Sequence, residues 1–235
     1  MKMNLVEAQR GIVCLPKGDS SGSVRFKSLS IPTSNKLTGM EVRLSQVIIR
    51  DNKTPHVWPF IRFSNLYVIT SSIDDLGAVP YSLNLKGFAD IDDGEALPVD
   101  RTIYYWEADT TKIKTPGAIH VLVSIIKSNE GIRDFGMALA SLRKTDDFKT
   151  VTNAVITAAT AGGAAIYDAF LPLIGIVGEM MGKIDDTPLF TTVLSFTAIN
   201  GDFDQLGRHQ YPQKNRYVDT VTTLIVRDST RDPGA

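Results

Sequence analysis

Apolar and polar positions alternate with a period of two over much of residues 1–127, the spacing that turns one side of a strand toward a core. Residues 10–15 form a short apolar run, and residues 23–31 alternate weakly through Val24, Phe26 and Leu29. The pattern sharpens over residues 40–49. Met40, Val42 and Leu44 share one phase, and Val47 and Ile49 share the other. A slip of one residue sends every later side chain to the opposite face, so a β-bulge is predicted near Ser45 and Gln46. The turn chemistry of Asp51-Asn52-Lys53-Thr54-Pro55 follows. Residues 58–70 are rich in aromatic and β-branched side chains, as strands prefer. Val79, Tyr81, Leu83 and Leu85 alternate again, and residues 90–98 read as a loop. Strands are predicted over 102–106 and 118–127, the second so continuously apolar that it reads as a central strand.

The period then changes to that of a helix. Ser128 is placed to cap one, and Ile132, Phe135, Leu139 and Leu142 form a single amphipathic stripe. A second helix is predicted from Asp146 or Asp147 through the alanine-rich run 151–167. Pro172 then restarts or kinks the chain, and 173–181 forms a third piece ended by Gly182. Strand signals return over 189–199. Asn200-Gly201-Asp202 is a turn, residues 204–215 read as a polar loop, and residues 217–227 form a last strand. In it Val218, Thr220, Thr222, Leu224 and Val226 share one face, while the tail after residue 227 has no reason to be ordered.

About nine strands with helices confined to one block disfavour a doubly wound parallel sheet. The expected fold is mainly β (α+β): an antiparallel β-sandwich with an inserted helical block near residues 128–183. The strands after the block must pair back with the first half, which makes residues 1–235 a single domain. In architecture this plan resembles the calcium-dependent, lipid-binding C2 sandwiches, and fold alone does not carry function.

Composition narrows the function classes. With 25 Lys+Arg against 26 Asp+Glu the formal charge is −1, so a general nucleic-acid partner is not expected. The single cysteine, Cys14, excludes an intramolecular disulfide and a multi-cysteine zinc site. Residues 1–11 carry no apolar stretch of signal-peptide length. Synthesis and retention in the cytoplasm are expected, unless export takes another route.

The unusual segment is 150–178, where Asp168 is the one formally charged residue and alanines surround the pair Gly162-Gly163. A helix apolar on all sides must be buried in protein or placed in lipid. The adjacent glycines weaken the helix, and each half is too short to cross a bilayer of about 30 Å. One reading packs the helices on the sandwich through their small residues. The other makes them a membrane-inserting or assembling hairpin, as in pore-forming, toxin-like proteins. On that reading Ala164, Ala165, Tyr167, Phe170, Leu171 and Leu173 are the membrane or partner contacts.

Asp90, Asp92, Asp93 and Glu95 form the densest acidic cluster and are the candidate metal ligands, with Ca²⁺ the cation that suits grouped carboxylates. They miss the EF-hand spacing, so a calcium site would need other loops from the same end. Asp51, Asp74, Asp75, Asp202 and Asp204 are the candidates. Gly18-Asp19-Ser20-Ser21-Gly22 is similar to the nucleophile run of chymotrypsin-like proteases, but it fails at its fourth position and precedes every histidine. His56, His120 and His209 have no metal-ligand spacing, and His120 reads as a hydrogen-bonded interior residue. The expectation is a non-enzymatic binding or effector protein with a membrane surface or a protein as partner. A structural subunit of a homo-oligomer and a hydrolase using Asp90, Asp92 or Glu95 stand as alternatives.

Overall fold

The computed structural model describes residues 37–55, 63–76, 82–108, 114–128, 142–161, 165–180 and 187–228. The runs expected at 10–15 and 23–31, Cys14, His56, Trp58, Phe60, Val79, Tyr81 and the stripe through Ile132, Phe135 and Leu139 lie outside them. The remainder is mainly β. Strands β1 (Leu37–Ile49), β2 (Ser64–Asp74), β3 (Ser82–Ile91), β4 (Ala96–Leu97), β5 (Arg101–Glu107) and β6 (Ala118–Ser128) come first. Helices α1 (Asp146–Thr160) and α2 (Ile166–Met180) follow, then β7 (Thr187–Thr197), β8 (Gly207–Lys214) and β9 (Val218–Asp228).

The strands form two antiparallel sheets. In the first, β1 pairs with β4 and β5 on one side and with β9 on the other, and β9 pairs with β8. The second has the order β3-β2-β6-β7. Their inner faces meet in a core that takes Met40, Val42 and Leu44 from β1 and Val121, Val123 and Ile125 from β6. The predicted bulge is present: the register of β1 against β9 shifts between Leu44 and Gln46, which returns Val47 and Ile49 to the core. The face read for the last strand is buried throughout, from Val218 to Val226. Strand β6 is central in its sheet, between β2 and β7.

The outer faces differ. On the first sheet, Glu41 accepts from Thr102 Oγ1 at 2.6 Å, Arg43 Nη1 at 3.3 Å and Arg227 Nη2 at 2.9 Å. Burial pushes the Glu41 carboxyl up, but those hydrogen bonds and the two guanidinium charges prevail and hold it below its ordinary value. On the second sheet, Tyr67, Ile69, Ile73, Leu83, Leu122 and Ile126 face outward and are covered by α1 and α2, which bury Phe148, Val155, Ile166, Phe170 and Leu173 against them. The sandwich core and this helix–sheet core are separate clusters. Thr145 caps α1, its hydroxyl accepting from Phe148 N at 3.3 Å.

Three expectations change. Helix α1 ends at Thr160, and α2 starts at Ile166 and runs through Pro172 instead of starting beyond it. A proline removes one N–H and kinks a helix, a cost that packing on the sheet can offset. Residues 207–214, read as loop, form β8; its side chains alternate between half-buried and exposed with no apolar face. Backbone pairing with β9 makes it a strand, and polar side chains with Pro212 suit a sheet edge. The short β4 likewise lies inside a stretch read as loop and owes its form to pairing with β1.

Because the two cores are separate, Phe170→Ala is expected to act on one of them. It should cost about 3–5 kcal/mol of helix-layer stability. Hydrogen exchange should show the loss over 146–180, with β1 and β9 still protected.

Candidate functional site

The strand ends sort the acidic residues into two groups. The turn after β1, the β3–β4 turn and the β8–β9 turn share one end: Ile49 N donates to Glu95 O at 2.9 Å, and Arg50 N to Tyr217 O at 2.7 Å. Asp51 and the acidic cluster are therefore together. Asp74, Asp75, Asp202 and Asp204 lie at the opposite end, where Asp75 N donates to Ala118 O and Ala198 N to Gly117 O.

At the first end the cluster builds its own turn. Asp92 Oδ1 accepts from Asp93 N at 2.7 Å, Asp93 Oδ1 from Asn52 N at 2.7 Å, and Glu95 Oε2 from Asp92 N at 3.1 Å. Asp90, at φ 55°, and Gly94, at φ 85°, both take the left-handed conformation that the tight path requires. The Lys127 ammonium acts on this group from below. Burial lowers its pKa, while Asp51 and Asp93 oppose that, and Nζ donates to Thr54 Oγ1 at 2.9 Å. Among the described residues no three His, Cys, Asp or Glu side chains gather to hold a metal. The calcium expectation for Asp90, Asp92, Asp93 and Glu95 therefore finds no support in the geometry: three of these carboxylates accept N–H groups of the turn, and a lysine already supplies positive charge.

At the other end Asp74 is fully buried. Its Oδ2 accepts from Tyr104 Oη at 2.9 Å and its Oδ1 from Leu76 N at 3.1 Å. Burial, with the Asp74 charge and hydrogen bond added, pushes the Tyr104 phenol far up. Asp75 Oδ1 accepts from Gly117 N at 3.0 Å, and Asp202 Oδ2 from Thr197 N at 2.7 Å. These carboxylates, too, hold turns.

The residues proposed for membrane or partner contact divide. Ala164 lies outside the described residues. Ala165 is exposed, and Tyr167 and Leu171 are half-buried. Phe170 and Leu173 are fully buried against the second sheet. In this conformation those two hold the helix down and offer no surface, because their spacing on α2 puts them on the face that meets the strands.

Sequence reasoning missed what lies under that face. By strand alternation Ser71, between Ile69 and Ile73, and His120, beside Leu122, point to the helix side of the sheet. Both are at most 1% exposed, and among the described residues Ser71 Oγ and His120 Nε2 have no hydrogen-bond partner. His120 Nδ1 lies 2.9 Å from Ser195 Oγ on β7. Burial lowers the imidazole pKa, and Asp75 opposes this without cancelling it. The sequence marked His120 as interior. Ser195 could not be paired with it without the β6–β7 register, which sets the two opposite each other.

No family model matches the chain, and no curated protein is similar to it in sequence. Solved structures resemble the chain weakly. One is human GIVD cytosolic phospholipase A2 in complex with methyl gamma-linolenyl fluorophosphonate inhibitor and terbium chloride, with a TM-score of 0.34 and 8% identity over 83% of this chain and 18% of that one. Another is Drosophila C2-DSL-EGF1, at 0.34 and 8% over 80% and 66%. The chain thus spans 18% of that phospholipase's length.

Asn52 ties the acidic turn together: it is fully buried, with Nδ2 donating to Ile91 O at 2.9 Å and Oδ1 accepting from Thr54 N at 2.9 Å. Asn52→Ala leaves buried backbone groups unpaired and should cost about 1–3 kcal/mol in urea unfolding.

Proposed function

We propose that this is a non-enzymatic binding protein whose sandwich meets a surface, a membrane in the first instance, and whose helical pair leaves the second sheet to insert there. The observation that carries this reading is the separateness of the two cores. The helices lie outside the sandwich core, so their release leaves the inter-sheet packing in place. The interface they would leave also contains unpaired polar atoms, Ser71 Oγ and His120 Nε2, each costing about 1–3 kcal/mol while buried. Among the described residues no helix is long and apolar enough to cross a membrane. The insertion proposed is shallow, with the helices lying in the headgroup boundary as interfacial helices do.

Hydrogen exchange in the presence of anionic vesicles tests this. Residues 146–180 should change protection on binding while β1 and β9 do not, and entrapped dye should leak. Unchanged helices, with protein and dye both remaining where they started across pH 5–7.5, would sink the reading.

His120 adds a pH dependence whose sign is fixed. Its pKa is below 6.5 in the folded state, so the unfolded chain takes up the proton first as the pH falls. Stability should therefore decline as pH drops through 6.5. In His120→Gln, which keeps a partner for Ser195 and cannot titrate, that decline should be absent from thermal melts recorded between pH 7.5 and 5.

A further inference from the structure

Edge strand β3 of the second sheet faces the β4–β5 edge of the first, bridged at one end by Ser82 Oγ donating to Ile103 O at 3.3 Å. A cavity of about 280 Å³ lies there. Its floor is apolar and buried: Leu44 from β1, Val68 from β2 and Val99 from the β4–β5 connection. Its mouth is polar. On β3, Leu83 and Leu85 face the helices, so the alternate residues Asn84 and Lys86 point between the sheets. Lys86 is exposed at the rim, so its stem lines the mouth while its ammonium stays in water.

The charges at this mouth are unbalanced. Asp100 is engaged by Arg43, whose Nη2 lies 3.1 Å from its Oδ1. Lys86 Nζ donates to the Pro98 carbonyl at 3.1 Å and sits 4.9 Å from the Phe88 ring centroid. Arg101 Nη2 donates to Asn84 Oδ1 at 3.0 Å. Both cations thus rest on neutral acceptors, and among the described residues neither has a carboxylate partner. Hydrogen bonds to an ionised acceptor are roughly twice as strong as those to a neutral one. An anion reaching the mouth would find two donors ready to exchange a weaker partner for a stronger one, with an apolar slot below it.

We propose that this cavity binds a small anionic amphiphile, its carboxylate or phosphate held between Lys86 and Arg101 and its short apolar body lying on Leu44, Val68 and Val99. The site is separate from the helix layer and does not depend on how that layer behaves.

Titration of the full chain with octanoate, octyl phosphate, octanol and inorganic phosphate, followed by amide chemical shifts, tests it. Octanoate, octyl phosphate or both should saturate, with shifts confined to β3, residues 97–101 and the floor positions around Leu44 and Val68; which of the two binds tighter identifies the headgroup. Octanol and inorganic phosphate, each lacking half of the recognised chemistry, should bind at least about tenfold more weakly. Lys86→Met, which keeps the apolar stem, and Arg101→Gln should each lower affinity about tenfold with melting temperatures unchanged, since both residues are exposed. Equal binding of octanol and octanoate would overturn the proposal, and so would shifts scattered over the surface. Absence of any saturable binding, with Lys86→Met self-associating through β3, would also overturn it and make Lys86 a guard of the sheet edge.

Discussion

The structure turns on the two middle strands of the second sheet, which are apolar on both faces. On β6, Ile119, Val121, Val123 and Ile125 enter the sandwich core while Leu122 and Ile126 enter the helix-covered one; β2 divides in the same way, with Leu66 and Val68 on one side and Ile69 and Ile73 on the other. Such strands must be shielded twice, because each large side chain left in water forfeits about 1.5–3 kcal/mol. The first sheet supplies one shield. The other must come from elsewhere in the chain, and α1 and α2 supply it. The helical block is thus the counterpart of the apolar run at 118–127, and neither segment is stable in water without the other.

The outer face of the first sheet is of a different kind. It carries Glu41, Arg43, Ser45, Thr223 and Arg227, which satisfy one another: Ser45 Oγ and Thr223 Oγ1 lie 2.7 Å apart, and Glu41 joins both arginines. These ion pairs lie near solvent and add little net stability, but they make a face that tolerates water. The asymmetry decides where the helices settle. They have one apolar sheet face to choose, and the polar face on the far side excludes the alternative packing.

How far the sequence disclosed this depended on whether a feature was written in side chains or in backbone pairing. The bulge in β1 was legible because Met40-Val42-Leu44 and Val47-Ile49 announce the change of phase directly. The buried face of β9 and the central place of β6 were legible for the same reason. Strands β8 and β4 were not, because Gly207–Lys214 has no apolar periodicity and exists as a strand through its hydrogen bonds to β9. Helix α2 was misplaced because Pro172 outweighed the apolar stripe Ile166-Phe170-Leu173 in a local reading, whereas packing on the sheet outweighs the proline in the fold. At the sites, residue types were legible but directions were not. The acidic cluster is legible as grouped carboxylates, but the backbone N–H groups they accept are not, and the phase of β3 alone puts the stem of Lys86 on the side that meets the β4–β5 edge.

The same constraint that holds the helices on limits how they can leave. Release would uncover Tyr67, Ile69, Leu122 and Ile126 together with the apolar side of α2, so a free helical pair in water is strongly disfavoured. A partner that takes up the helices alone leaves the sheet bare; one that accepts both apolar faces removes most of the penalty. A bilayer boundary meets that condition, because the sheet face and the helix face can lie against the same apolar layer. The polar residues on the strand side temper the cost further: Ser71 and His120 gain hydration on exposure, while Ser124 and Thr191, 2.9 Å apart, are already paired and lose nothing. On the proposed reading, release is coupled to arrival at the surface, because neither apolar face then has to meet water.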